Sequence, residues 1–144
     1  MNVGIDTDFL VRLAVIEHAG HEVAKRVRDE CLDAGDRFAV APQVMAEFVH
    51  VVTDGRRFET PLSPGDALRW AKGWWSAAEV DPIAPSAAAM GRFFDWMVQH
   101  QLGRKRILDT LLAATYVTAG VARLVTANPS DYRIFDRLEL ITLP

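Results

Sequence analysis

What most constrains this chain is the alternation of short apolar runs with longer stretches of helical period. "VGI" at 3–5, "RFAVAP" at 37–42, "ARLVTA" at 122–127 and "LELITL" at 138–143 have the length and residue types of buried strands. "EVDPIAP" at 79–85 is short and broken by proline, so it reads as an edge strand at most. Between these runs the spacing predicts helices. In "TDFLVRLAVIE" Leu10, Leu13 and Ile16 share one face, and in "EVAKRVRDECLDAG" Val23, Val27 and Leu32 point inward before a stop at Gly35. Pro42 suits the first turn of "QVMAEFVHVVT", and Ser63 with Pro64 opens "SPGDALRWAKGWWSA". Ser86 caps "SAAAMGRFFDWMVQHQ", and "LDTLLAATYVTAG" ends at Gly120. Strands that alternate with helices predict one α/β domain over residues 1–144, a short and mostly parallel sheet covered on both faces.

Composition narrows the function classes. The net charge is −3, whereas chains dominated by non-specific nucleic-acid binding are usually basic, so any such contact here must use local patches. Two exist, Arg56-Arg57 and Arg104-Lys105-Arg106; each taken alone is also what solvated loop charge looks like. The one cysteine, Cys31, excludes an internal disulfide and a Cys-rich zinc site, and fits a reducing cytoplasm. No apolar run reaches the roughly 18–20 residues of a membrane helix, and Asp6, Asp8 and Arg12 interrupt the start before a signal-peptide core could form. The loop at 54–64 reads as ordered rather than as a domain boundary.

Parallel sheets carry their sites at the carboxyl ends of the strands. Asp6 follows the first strand, Glu47 lies one turn into the helix after the second, and Asp109 opens a late helix. Asn128 and Asp131 follow the "RLVT" strand. A helix cap would account for Asp6, Asp8 or Asp109 taken singly, each stabilising by about 0.5–2 kcal/mol. Glu47 sits among Val44, Met45, Phe48, Val51 and Val52, so the expectation is a partly buried carboxylate in need of a partner. A shared divalent cation would relieve all the acids together, and an all-oxygen set favours Mg²⁺ or Mn²⁺ over zinc. Phosphodiester hydrolysis is the chemistry that follows from such a site. His18, His21, His50 and His100 form no metal-ligand pair. An aspartyl phosphatase with Asp6 as nucleophile and Asp8 as acid fits less well, because it lacks a late acidic pair and leaves Glu47 unexplained.

"VGIDTDFLV", "APQVMAEFVHVVTDGRRF" and "ILDTLLAATYVTAGVARLVTANPSDYRIF", in this order and spacing, resemble the PIN domain and specifically the VapC-type toxins of toxin–antitoxin pairs. The resemblance spans essentially the whole chain. It implies a PIN-like α/β/α sandwich and a Mg²⁺- or Mn²⁺-dependent endoribonuclease that cuts tRNA, rRNA or mRNA. It further implies a homodimer restrained by a VapB-type antitoxin. By position it implies Asp6 and Asp109 as metal ligands and Glu47 as a ligand through water or the residue that positions the attacking water. Thr7 and Thr126 would be supporting hydroxyls. Residue chemistry adds Arg104, Lys105 and Arg106, which come just before Asp109 and are placed to hold RNA phosphates beside the metal. Two positions depart from the pattern. Asp8 stands where Asn or Ser is usual, and Asn128 replaces a fourth acid, with Asp131 three residues on. A catalytically weak PIN-like RNA- or protein-binding module is the alternative that Asn128 suggests. Trp70, Trp74, Trp75, Phe93, Phe94, Trp96 and Met97 form two aromatic helical faces, either core or a surface for a second copy or the antitoxin.

Overall fold

In the computed structural model, which describes residues 1–144, the apolar runs become strands of a single sheet. The strands are β1 (Asn2–Ile5), β2 (Arg37–Val40), β3 (Val80–Pro82), β4 (Arg123–Thr126) and β5 (Glu139–Thr142), and every pairing is parallel in the order β3-β2-β1-β4-β5. The Pro-broken segment is the β3 edge, where a missing N–H costs nothing. The helices are α1 (Thr7–Ala14), α2 (His21–Asp33), α3 (Pro42–Val52), α4 (Pro64–Trp75), α5 (Ala87–Gln99) and α6 (Ile107–Thr118).

The strand order decides where these helices go. The chain moves outward from β1 through β2 to β3, then returns to β4 on the other side of β1. Right-handed crossovers therefore put α1–α4 on one face and α5–α6 on the other. Packing agrees: α1 contacts α2 and α3, α3 contacts α4, and α5 pairs with α6. The reversal between β1 and β4 is a switch point, where loops leaving the two strands diverge and open a crevice.

Local signals account for the helix ends. Ser63 accepts from Asp66 N and Ser86 from Ala89 N, both at 3.1 Å. Pro42 and Pro64 occupy first turns, and Gly35 and Gly120 take left-handed φ of 81° and 82° just past α2 and α6. One expectation fails here. Ile16 is 74 % exposed, because α1 ends at Ala14 and Val15 turns extended, which takes Ile16 off the face that buries Leu10 and Leu13.

Thirty buried residues form one hydrophobic cluster spread over the sheet and its helices. The aromatic faces divide between core and surface. Trp96 is buried and stacks on Phe135 at 4.6 Å, and Trp74 meets Phe38 edge-on. Trp70 and Phe94 remain exposed.

Tyr116 of α6 ties the sheet together beneath the crevice. Its ring is fully buried, its hydroxyl donates to the Ile5 carbonyl at 2.6 Å, and it accepts from Ala41 N at 3.3 Å. One phenol thus joins the carboxyl ends of β1 and β2. The ring lies so close to β1 that a Cβ at Gly4 would meet it at 2.8 Å. Gly4→Ala should therefore destabilise the fold by about 1–3 kcal/mol through overpacking, read as a lower urea midpoint with an unchanged slope.

Candidate active site

Asp6 is the amino-terminal cap of α1, and its position there follows directly from the end of β1. It is 6 % exposed. Its Oδ1 accepts from Phe9 N at a long 3.4 Å, and its Oδ2 accepts from Thr126 Oγ1 at 2.6 Å. Thr126 ends β4, so this bond spans the switch point and locks the carboxylate against the neighbouring strand. The same hydroxyl accepts from Asn128 N at 3.0 Å, which fixes the start of the loop behind it.

Asp8 has a different role from Asp6. It pairs with Arg12 one turn along α1 at 2.7 Å, an ion pair that Asp6 lacks. Thr7, between the two, donates to Glu47 Oε2 at 2.9 Å and links α1 to α3. Glu47 itself is exposed, contrary to the sequence expectation. The buried stripe of α3 is Val44, Met45, Phe48 and Val52, and Glu47 projects from another face into the crevice. Its place is explained by the cleft it lines, not by burial in the core.

Asp109 is half-buried in the first turn of α6 and accepts from Tyr132 Oη at 3.2 Å. Tyr132 is itself buried, at the end of the short turn Pro129–Asp131. Arg106, just before α6, donates to the Asp131 carbonyl, so the basic segment and the Asn128–Asp131 turn are clamped together. Arg104 and Lys105 stay exposed on the adjoining turn.

Asp6, Thr7, Asp8, Glu47, Asp109, Asn128 and Asp131 all line one cleft of about 490 Å³. Thr126 lies behind Asp6 as a support, and Arg104, Lys105 and Arg106 line a separate concavity. Sequence reasoning missed several contributors. Gln43, His50, Leu108 and Tyr132 also line the cleft. Gln43 and His50 share the helical spacing of Glu47, a signal present in the sequence. The bond from Tyr132 to Asp109 has no local signal.

Asp8 apart, the acids of the cleft, Asp6, Glu47, Asp109 and Asp131, have no ion-pair partner, and Arg106 eases Asp109 only from a distance. Burial raises the Asp6 carboxyl to about 7, the charges of Asp8 and Asp109 push the same way, and the Thr126 and Phe9 bonds only partly oppose them. Asp109 is also raised, first by burial and then by Asp131, while the Tyr132 bond pulls it back. Burial likewise raises the Tyr132 hydroxyl, so it stays a neutral donor. The acids do not close into a ready-made cage of three ligands. Mg²⁺ does not require one, since it keeps several waters and takes one or two carboxylates.

No family model matches this sequence, and no curated protein matches it either. Solved structures do match. VapBC2 from Rickettsia felis, bound to a DNA fragment from its promoter, superposes with a TM-score of 0.72 over 100 % of both chains at 17 % identity. VapBC-1 from nontypeable Haemophilus influenzae gives 0.68 over 99 % of this chain and 98 % of that one at 16 % identity. VapC20 of Mycobacterium tuberculosis, a sarcin-ricin loop cleaving toxin, gives 0.62 over 85 % and 86 % at 19 % identity. The chain has the PIN fold of the VapC toxins. In this chain the β1/β4 switch point opens at the acid cleft described above.

Raised carboxyl groups make the stability of the metal-free protein depend on pH with a definite sign. Asp6 rises from 3.8 to about 7 and Asp109 rises too, so the folded chain holds more protons than the unfolded one between those limits. Their contribution is complete below about pH 4 and is lost as pH rises through 7, for Asp6 up to about 4 kcal/mol at 1.36 kcal/mol per unit. Urea titrations without metal should show stability falling from pH 4 to 7.5, and Asp6→Asn should flatten that fall.

Proposed function

We propose that this chain is a divalent-metal-dependent endoribonuclease, the toxin of a toxin–antitoxin pair. The observation that supports this best is the cleft itself: Asp6, Glu47, Asp109, Asn128 and Asp131, distant in sequence, share one opening at the carboxyl edge with no cation among them. The VapC structures that share the fold support the toxin reading, and their antitoxin complexes support a VapB-type partner.

In this reading Asp6 and Asp109 hold Mg²⁺ or Mn²⁺, and Asn128 or Asp131 completes the set. The ion, when bound, acidifies water and neutralises charge on the scissile phosphate. The chain's own residues prepare the geometry. Thr126 pins the Asp6 carboxylate in one rotamer, and Tyr132 does the same for Asp109. Thr7 orients Glu47, whose exposed carboxylate positions the attacking water and takes its proton. Arg104 and Lys105, exposed beside the start of α6, attract RNA phosphates, and Arg106 holds the turn that carries Asp131. Assembly as a homodimer, restraint by a VapB-type antitoxin and action in the cytoplasm belong to the same proposal. No helix is long and apolar enough to cross a membrane.

Asn128, where a fourth acid would be expected, favours one second reading, a binding module that grips RNA without cutting. Calorimetry with Mn²⁺ separates the two, because the nuclease should bind the ion at sub-millimolar concentration and the module should not. Asp6→Ala and Asp109→Ala should each reduce cleavage of an RNA oligonucleotide by about 100-fold or more and remove growth inhibition while the fold persists by circular dichroism. Retained cleavage in either purified variant refutes the assignment. Thr126→Val, which frees the Asp6 carboxylate and also takes the acceptor from the Asn128 amide, should weaken Mn²⁺ binding by about tenfold.

A further inference from the structure

Four buried side-chain polar atoms in this protein have no hydrogen-bond partner: Gln43 Nε2, His100 Nε2, Arg106 Nε and Thr118 Oγ1. Gln43 alone among those residues lines the acid cleft. Buried amide groups are nearly always bonded, so one left open in a cleft wall calls for a partner, which a water or a ligand entering the cleft supplies.

The surroundings define what that partner is. The side chains around Gln43 in the cleft are mostly acceptors: Asp6, Asp8, Glu47, Asp109 and Asp131 are carboxylates, and the Thr7 hydroxyl is already donated to Glu47. Tyr132 has likewise given its hydroxyl to Asp109. An anionic substrate entering the cleft therefore finds few uncommitted neutral donors, and the Gln43 carboxamide is one of them. Gln43 sits in the first turn of α3, one turn before Glu47, and no side chain caps this helix. The positive end of the helix dipole adds to the attraction for an anion there. The terminal torsion of glutamine is broad, so the amide can reorient to meet a ligand in the cleft that Gln43 lines.

We propose that Gln43 is a substrate-binding residue, whose carboxamide donates to a phosphate oxygen of the RNA beside the scissile bond. This rests on the ribonuclease reading above and deepens it: the α3 wall of the cleft grips the backbone, and the α1 and α6 carboxylates serve the metal. Recognition of this kind depends on phosphate and not on base identity.

The test compares wild type with Gln43→Ala and Gln43→Glu, using a fluorescein-labelled RNA 12-mer in Ca²⁺ for binding and in Mn²⁺ for turnover. Gln43→Ala should weaken RNA binding by about tenfold, as expected for a lost bond to a charged group. Gln43→Glu, similar in shape but negative, should weaken it further. In both, KM should rise more than kcat falls, and Mn²⁺ affinity by calorimetry should stay within about twofold of wild type. Gln43→His, which restores a donor, should recover part of the binding. Wild type and Gln43→Ala binding RNA equally would overturn this proposal and leave the ribonuclease reading intact. A parallel loss of Mn²⁺ affinity would also overturn it, by showing that Gln43 acts through the metal site. A wild-type protein that binds Mn²⁺ but neither binds nor cuts RNA would overturn both readings.

Discussion

The bond from Thr126 to Asp6 joins the ends of two parallel strands and holds a nearly inaccessible carboxylate where charge is hardest to keep. Burial drives that group toward its neutral form, and two hydrogen bonds are not enough to reverse the shift. The arrangement around it makes matters worse, since Asp109 and Asp8 add negative charge. A stable fold with no function would replace such a group or pair it with an arginine. Here Arg12 is spent on Asp8 and Arg106 bonds a backbone carbonyl, easing Asp109 only from a distance, and none of Asp6, Glu47, Asp109 and Asp131 has an ion-pair partner. In the metal-dependent function proposed above, a hard divalent ion in contact with these oxygens would reverse the sign of the local field and turn that strain into affinity.

Tyr116 supplies the frame for this strained corner. By joining the Ile5 carbonyl to the Ala41 amide it ties the residue before Asp6 to the residue before α3, which carries Glu47 and Gln43. Two walls of the cleft therefore take their spacing from one buried phenol. The third wall is set by Tyr132 and Arg106, which bind the loop after β4 to the first turn of α6. Each wall is held by a long-range polar contact, and the cleft between them is free to stay open.

Much of this was legible from local pattern. The Val3–Ile5 run followed by Asp6 announces a strand end, and proline or serine at the starts of α3, α4 and α5 announces the helices. Asp6 and Asp109 could be assigned to one sheet edge from topology alone. Glu47 lies in the cleft with the other acids, but not for the reason expected: its apolar neighbours suggested burial, yet they face the core while Glu47 faces the cleft. Ile16 failed for a related reason, since helical spacing predicts a shared face only as far as the helix continues.

The amino-acid sequence by itself determined the elements, their parallel pairing and the edge at which the acids gather. Strand length, helical period and end signals are properties of neighbouring residues, and neighbouring residues are what a sequence displays. Only the tertiary structure decided which acids are strained, which arginines are already committed, and that Gln43 is a donor without a partner. Desolvation and hydrogen-bond satisfaction depend on groups 23 to 120 positions apart, as in Tyr132 with Asp109 and Thr126 with Asp6, and such pairs exist only once the chain has closed on itself.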